Sequence, residues 1–207
     1  MFDAASLRAR LEETLAVRRP RVIGDDACDA RAAVALILRA GPGNLPQAGA
    51  EVPGAEVLFV RRADAPGDPW SGHTALPGGR VSSADRNLME TARRETREET
   101  GLDLAPADFL GRLDDIHPLN AHLPSIAVTP FVAWPGGAGV VRESPELAGH
   151  VWIPVGALLD PTFRSWYRPP RLRERAYPAI AYAGEVIWGL TFKIVEDFLS
   201  RLECDAR

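Results

Sequence analysis

At 207 residues, with 46% hydrophobic and 25% charged side chains, the chain has the size and apolar content for one globular domain with a full core, and two would be cramped. A formal net charge of −4 excludes a general attraction for nucleic acid or an anionic membrane surface, so any phosphate binding has to be local, through a cation and selected arginines. Lys193 is the only lysine, which leaves the positive charge almost wholly to Arg, whose planar fork suits phosphate.

The opening residues MFDAASLRARLEETL carry acids early and lack an apolar h-region, and no run reaches the length of a membrane span, so the expected location is the cytoplasm. Cys28 and Cys204 sit near opposite ends without a CxxC spacing, which fits a reducing compartment. Leu7, Leu11, Leu15 and Ala16 recur at helical spacing and predict an amphipathic surface helix over 3–17, ahead of Pro20 and within an N-terminal extension of residues 1–30. Residues 32–38 (AAVALIL) read as a buried strand, 41–54 as a Gly/Pro-rich connection, and 57–60 (VLFV) as a second strand, together a hairpin-like pair. Arg61 and Arg62 end that strand, and 63–73 is a loop of turn formers in which Arg62 can pair with Asp64 and Trp70 can cover the core edge.

A Pro77-Gly78-Gly79 turn then feeds a helix that Ser82, Ser83 or Asp85 can cap, with Leu88, Met89 and Ala92 toward the core and Gly101 at the stop. Glu98 and Glu99 lie three and four positions after Glu95, so three carboxylates crowd one helical face. Each such like-charge pair costs about 0.2–0.5 kcal/mol, and the negative end of the helix dipole makes acids there worse. A hard divalent cation, Mg²⁺ or Mn²⁺, reverses the sign, because it takes oxygen ligands and is completed by water and substrate phosphates. The competing reading is a solvated face on which Arg93, Arg94 and Arg97 neutralise the glutamates.

Residues 109–115 and 126–134 read as strands around a loop holding His117, Asn120 and His122, which lack a metal-binding spacing and read as solvated. After a break at 135–139 come Glu143 and Glu146, then a loop over 161–170, a strand over 177–182 and a long amphipathic helix over 185–202. No internal repeat or low-complexity tract interrupts the chain.

Gly-Gly, a spacer, Arg-Glu, two residues, Glu-Glu, one residue and Gly resemble the Nudix box, matched at Arg94, Glu95, Glu98, Glu99, Gly101 and Leu102. Strict spacing would put the first box glycine at Arg80 and the first glutamate at Arg86, and Thr96 stands where an aliphatic residue is usual. One added residue in the loop resembles the coenzyme A diphosphatase branch, whose pattern runs without a gap through Pro77, Gly78, Gly79, Asp85, Thr91, Ala92, Arg94, Glu95, Glu98 and Glu99. The branch's upstream element is half kept in residues 70–77, and its C-terminal signature is resembled by residues 177–182 and 186–191. Residues 150–159 are similar to the family's usual strand and short helix.

The resemblance implies an α/β fold, a Nudix-type α/β/α sandwich with a mixed sheet, an extra N-terminal helix and a long C-terminal helix, in a single domain over 1–207 with the box at 76–102. It further implies Glu95 and Glu99 as metal ligands, Glu98 as a third ligand or the catalytic base, and Arg94 as the residue that fixes their rotamers. Arg61, Arg62 or Trp70 would touch substrate, and Gly78 and Gly79 would bring backbone N–H groups to the metal–phosphate site. Glu143 or Glu146 would be an extra carboxylate from outside the box, or else an ordinary exposed loop acid. The implied cofactor is Mg²⁺ or Mn²⁺, and the partner is a small-molecule nucleoside diphosphate bound by a monomer or homodimer. The preferred substrate is coenzyme A or an acyl derivative, with Arg61, Arg62, Arg171, Arg173 or Arg175 meeting its 3′-phosphate; the alternative is ADP-ribose or a related compound. A module that kept the fold and lost catalysis is the reading from another class, and it would have no reason to retain three repelling acids.

Overall fold

The computed structural model describes residues 4–41, 54–68, 70–118, 125–137, 139–170 and 175–204. Asn120, His122, Arg171, Arg173 and most of the 41–54 connection lie outside them. Strand β1 (Ala30–Ala40) is the axis. Its side chains alternate between two apolar clusters, Ala32, Leu36 and Leu38 on one face and Ala35 and Ile37 on the other, which is why it reads as an unbroken apolar run. One edge of β1 runs parallel to β6 (Ile126–Ala133), from Ala30 opposite Ile126 to Ile37 opposite Ala133. The other edge is shared: Ala32 to Val34 pair antiparallel with β4 (Gly78–Arg80), and Leu38 to Ala40 with β2 (Ala55–Arg62). Strand β2 in turn pairs with β3 (Thr74–Ala75) and β7 (Leu147–Pro154), and β5 (Phe109–Arg112) closes the far side of β6.

Helices cover both faces of this mixed sheet. On one, α2 (Leu88–Thr100) seats Ala92 against Ala33 and Phe131, with Leu88 and Met89 packed beside them. On the other, α1 (Ala4–Val17) contributes Leu11 and Leu15, and α4 (Gly189–Cys204) contributes Ile194, Val195, Phe198 and Leu199, around Leu36, Leu38, Val57 and Phe59. The α/β/α sandwich expected from the sequence is therefore present. Ala16, expected on the buried stripe of α1, is exposed. A buried ion network joins the outer helices: Arg201, with a side chain only 2% exposed, donates to Asp114 and Asp197 at 2.9 and 3.1 Å and to the Arg18 carbonyl at 3.1 Å.

Several boundaries differ from the sequence reading: β1 and β2 run two residues further at each end, and β5 ends at Arg112 rather than 115. A second, three-stranded antiparallel sheet holds β8 (Arg164–Tyr167), β9 (Tyr177–Tyr182) and β10 (Glu185–Trp188), so part of the expected 161–170 loop is a strand. The C-terminal helix starts at Gly189 rather than 185, because Ala183 (φ 52°) and Gly184 (φ 83°) form a tight left-handed turn that folds Val186 and Ile187 back onto β9. The cap of α2 is Asn87, whose side chain accepts the Glu90 N–H at 3.0 Å; Ser82, Ser83 and Asp85 lie upstream of it. Short α3 (Val155–Leu159) follows β7, as expected. No helix among the described residues is long and apolar enough to cross a membrane.

Candidate active site

The shared edge of β1 brings the box together. Strand β4 runs along the first half of β1, so Gly78 and Gly79 lie beneath the end of α2. A Cβ on Gly78, at φ 148°, would fall 2.3 Å from the Ala33 carbonyl oxygen, and one on Gly79 would fall 2.5 Å from the Glu95 carboxyl group. At Gly78 only glycine leaves space for the strand, and a side chain at Gly79 would displace the Glu95 carboxyl group. The Gly78 N–H donates to Glu99 Oε2 at 2.9 Å. Gly101 ends α2 in the left-handed conformation (φ 71°), returning its N–H to the Arg97 carbonyl at 3.0 Å.

Arg94 is the hub of the acidic face. Its Nε and Nη2 grip Asp85 at 2.9 Å each, and its Nη1 reaches Glu95 at 2.7 Å and Glu98 at 3.0 Å. Asp85, with a side chain 4% exposed, also accepts from the Ser82 N–H and the Thr91 hydroxyl. The Arg94 fork holds the Asp85 carboxyl well below the usual carboxylate range, and Asp85 in turn raises the Arg94 guanidinium. Asp85 is thus no cap but the anchor of the box arginine. The solvated-face reading holds in part: Arg94 neutralises Glu95 and Glu98, whereas Arg93 turns away to the Leu104 carbonyl.

Glu99 differs from its neighbours. Its side chain is 5% exposed, and burial, followed by the fields of Glu95 and Glu146, pushes its pKa up to about 7 against the opposing Gly78 N–H and Arg62. Among the described residues no three Asp, Glu, His or Cys side chains stand close enough together to hold a cation as they are. The donor chemistry nevertheless fits a hard one: Glu95, Glu98 and Glu99 offer carboxylate oxygens on one helix, with Glu98 more than half exposed one turn along from Arg94. Thr96, in the position of the usual aliphatic residue, is fully buried and its hydroxyl has no partner.

The two arginines at the end of β2 point to different places. Arg61 is half exposed and pairs with Glu185 of β10 at 3.2 Å; Glu185 also accepts the Thr74 hydroxyl at 2.8 Å, tying the small sheet to the site. Arg62 pairs with Asp68, not Asp64, through Nε at 3.2 Å and Nη2 at 2.9 Å, and its Nη1 lies 3.8 Å from Glu99 Oε1. Of the two acids outside the box, Glu146 acts on Glu99, while exposed Glu143 bonds His150 Nδ1 at 2.6 Å, which lowers its pKa. The loop that carries both is held to α2, since the Ser144 N–H donates to the Glu99 carbonyl at 2.9 Å. Trp70 is half-buried, and its backbone N–H donates to Asp68 at 3.0 Å. His117 is remote from the box, 3.4 Å from Ser125 Oγ, and Arg175 lies over the Tyr177 ring at 5.5 Å. Asp68 and Glu185, which orient Arg62 and Arg61, were missed by the sequence reading. So was the aromatic set beside them, in which Trp188 meets His73, Tyr167 and Tyr177 with centroids 4.8, 5.2 and 5.6 Å away.

The profile of the NUDIX domain matches residues 31–173. The uncharacterized Nudix hydrolase NudL of Yersinia enterocolitica is 32% identical over 142 residues, 67% of this chain and 70% of that one. An uncharacterized protein of Schizosaccharomyces pombe is 37% identical over 110 residues, which is 51% of this chain and 33% of that protein's length. In fold, a MutT/nudix family protein from Enterococcus faecalis is similar, with a TM-score of 0.54 and 14% identity across 100% of this chain and 74% of the other.

Proposed function

The chain belongs to the Nudix hydrolase family, and on that premise we propose that it hydrolyses the diphosphate of coenzyme A or an acyl-coenzyme A, giving 3′,5′-ADP and the matching phosphopantetheine. The observation that carries this reading is the Asp85–Arg94 pair. The acid that follows Pro-Gly-Gly at the diphosphatase spacing accepts from Nε and Nη2 of the box arginine at 2.9 Å each, so the lengthened loop has a structural use.

Enzymes of this family work with a divalent cation; here Glu95 and Glu99 would hold Mg²⁺ or Mn²⁺. Bound there, it would offset charge along the diphosphate and lower the pKa of a nearby water. Glu98, exposed at the rim, takes a proton from the attacking water as its oxygen bonds to phosphorus and the bridging P–O bond breaks. Arg94, locked by Asp85, keeps Glu95 and Glu98 in place. Gly78 holds Glu99 by its N–H, and Gly79 gives Glu95 its space. Arg61 keeps donors free of Glu185 for the 3′-phosphate, Arg62 faces the diphosphate, and Glu146 rather than Glu143 is the carboxylate that joins the site from outside the box. Residues 1–207 work as one domain, a monomer or homodimer acting on a small-molecule substrate in the cytoplasm.

The test is a panel of coenzyme A, its 3′-dephospho form, ADP-ribose, NADH and nucleoside triphosphates, each with Mg²⁺ and with Mn²⁺, products identified by mass. Coenzyme A is expected to be cleaved in preference to the 3′-dephospho compound. Equal rates on those two, or faster cleavage of ADP-ribose, would overturn the coenzyme A assignment and leave the diphosphatase chemistry standing.

A further inference from the structure

Arg62 is gripped on one edge only. Asp68 Oδ2 takes its Nε and Nη2, and Asp68 is itself fixed, because its Oδ1 accepts the Trp70 N–H at 3.0 Å and its own N–H reaches the Ala65 carbonyl at 3.2 Å. The backbone N–H of Arg62 donates to the His73 carbonyl at 3.1 Å, which closes the loop around this pair. What remains is Nη1, and it faces Glu99 Oε1 at 3.8 Å, close enough to attract and too far to hydrogen-bond. Glu99 Oε2 is already taken by the Gly78 N–H. The nearly buried carboxylate therefore presents one open oxygen, and the positive charge opposite that oxygen is Arg62, with Glu95 and Glu146 adding negative charge around it.

We propose that Arg62 stands in for the cation at Glu99 while the site is metal-free and turns to a phosphoryl oxygen once it is loaded, with Asp68 as the positioning residue that holds the guanidinium between the two. The inference rests on the diphosphate-hydrolase reading and not on coenzyme A as the substrate. A cation bound by the Glu99 carboxylate would meet a like charge that already lies 3.8 Å from Oε1, so the two would compete for the same group. Because no hydrogen bond ties Nη1 to Glu99, it leaves at the cost of a screened attraction alone. The grip of Asp68 keeps the guanidinium at the site, and Nη1, freed from Glu99, donates to the anionic oxygen that enters with the cation, a charge-assisted bond of the stronger kind. A plain loop-stabilising salt bridge would need only the Asp68 edge.

Opposite signs in two variants test this. Calorimetric titration of the metal-free full-length protein with Mn²⁺ should show Arg62→Gln binding the ion more tightly, by about three- to tenfold, since a competing charge is gone. Asp68→Asn should bind it more weakly, by about threefold, since an unshared guanidinium leans harder on Glu99. Arg62→Lys, which keeps the charge, should stay within about twofold of the parent in Mn²⁺ affinity. With whichever diphosphate the panel shows to be cleaved, Arg62→Gln and Arg62→Lys should raise KM by about tenfold with a smaller change in kcat. Unchanged or weaker Mn²⁺ binding by Arg62→Gln overturns the stand-in role. Asp68→Asn equal to the parent in both Mn²⁺ affinity and KM overturns the positioning role. If Arg62→Gln does not fold, a KM for Arg62→Lys equal to that of the parent overturns the phosphate role. Failure of coenzyme A as substrate leaves the Mn²⁺ titrations unaffected, so the two readings fail separately.

Discussion

Asp85→Asn is the substitution on which the account of the box most depends. The carboxylate accepts four hydrogen bonds, two from Arg94 at 2.9 Å, one from the Ser82 N–H at 2.8 Å and one from the Thr91 hydroxyl at 2.9 Å, with its side chain 4% exposed. Asparagine keeps the shape, removes the charge opposite Arg94 and turns one acceptor into a donor aimed at other donors. Breaking a buried pair costs about 3–5 kcal/mol, and the lower end applies because Arg94 keeps Glu95 and Glu98. For a chain of this size that is a fall of roughly 6–12 °C in Tm. Turnover should drop by about 10- to 100-fold, as an unanchored Arg94 no longer sets the rotamers of Glu95 and Glu98. The pH dependence has a definite sign. Asp85 is depressed in the folded protein, so its contribution is present above the unfolded pKa of about 3.9 and is lost as pH falls through the lower folded value. Urea midpoints of parent and variant should therefore differ by a constant amount from about pH 8 down to 5 and converge only below about pH 4. Equal midpoints at neutral pH, with unchanged turnover, would refute the anchor.

Thr96→Val removes a buried hydroxyl that has no partner while keeping a β-branched shape, and should stabilise the protein by about 1 kcal/mol, or about 2–4 °C in a thermal melt; a lower Tm would show that the hydroxyl is satisfied in solution. Glu99→Gln keeps an acceptor for the Gly78 N–H and removes an acid whose pKa is raised from 4.5 to about 7. A raised acid contributes stability below its unfolded pKa and loses it as pH rises through the folded one, so the metal-free parent should weaken between about pH 5 and 8 relative to the variant; parallel urea-midpoint profiles would exclude the buried carboxylate as the cause. Glu98→Gln is isosteric but cannot accept a proton, and turnover should fall at least about a hundredfold with an unchanged melting curve; near-parental activity removes Glu98 from the mechanism.

Local periodicity made much of the fold legible. The apolar run of 32–38, the alternation of 177–182 and the helical stripe of Leu11 and Leu15 depend on each residue's neighbours a few positions away, and the structure has the corresponding strands and helix. The box was legible for the same reason, since Arg94, Glu95, Glu98 and Glu99 meet at spacings of one, three and four on one helix, and Gly101 takes the left-handed stop that its type favours. Where an element's identity depends on a distant partner, the sequence was silent. Residues 164–167 form a strand because β9 lies beside them, and 185–188 leave the expected helix because a two-residue turn folds them onto that same strand. The ion pairs around the site are of this kind too. Glu185 and Thr74 are 111 positions apart, and Arg62 chose Asp68 over the nearer Asp64 because a closed loop, not proximity along the chain, brought that carboxylate to its guanidinium. Residue types and short spacings thus determined that three carboxylates share a helix with one arginine. Burial and the packing of β4 against β1 decided which of the three lost its water and met the Gly78 N–H, because desolvation is set by what surrounds a charge in space and not by what precedes it in the chain.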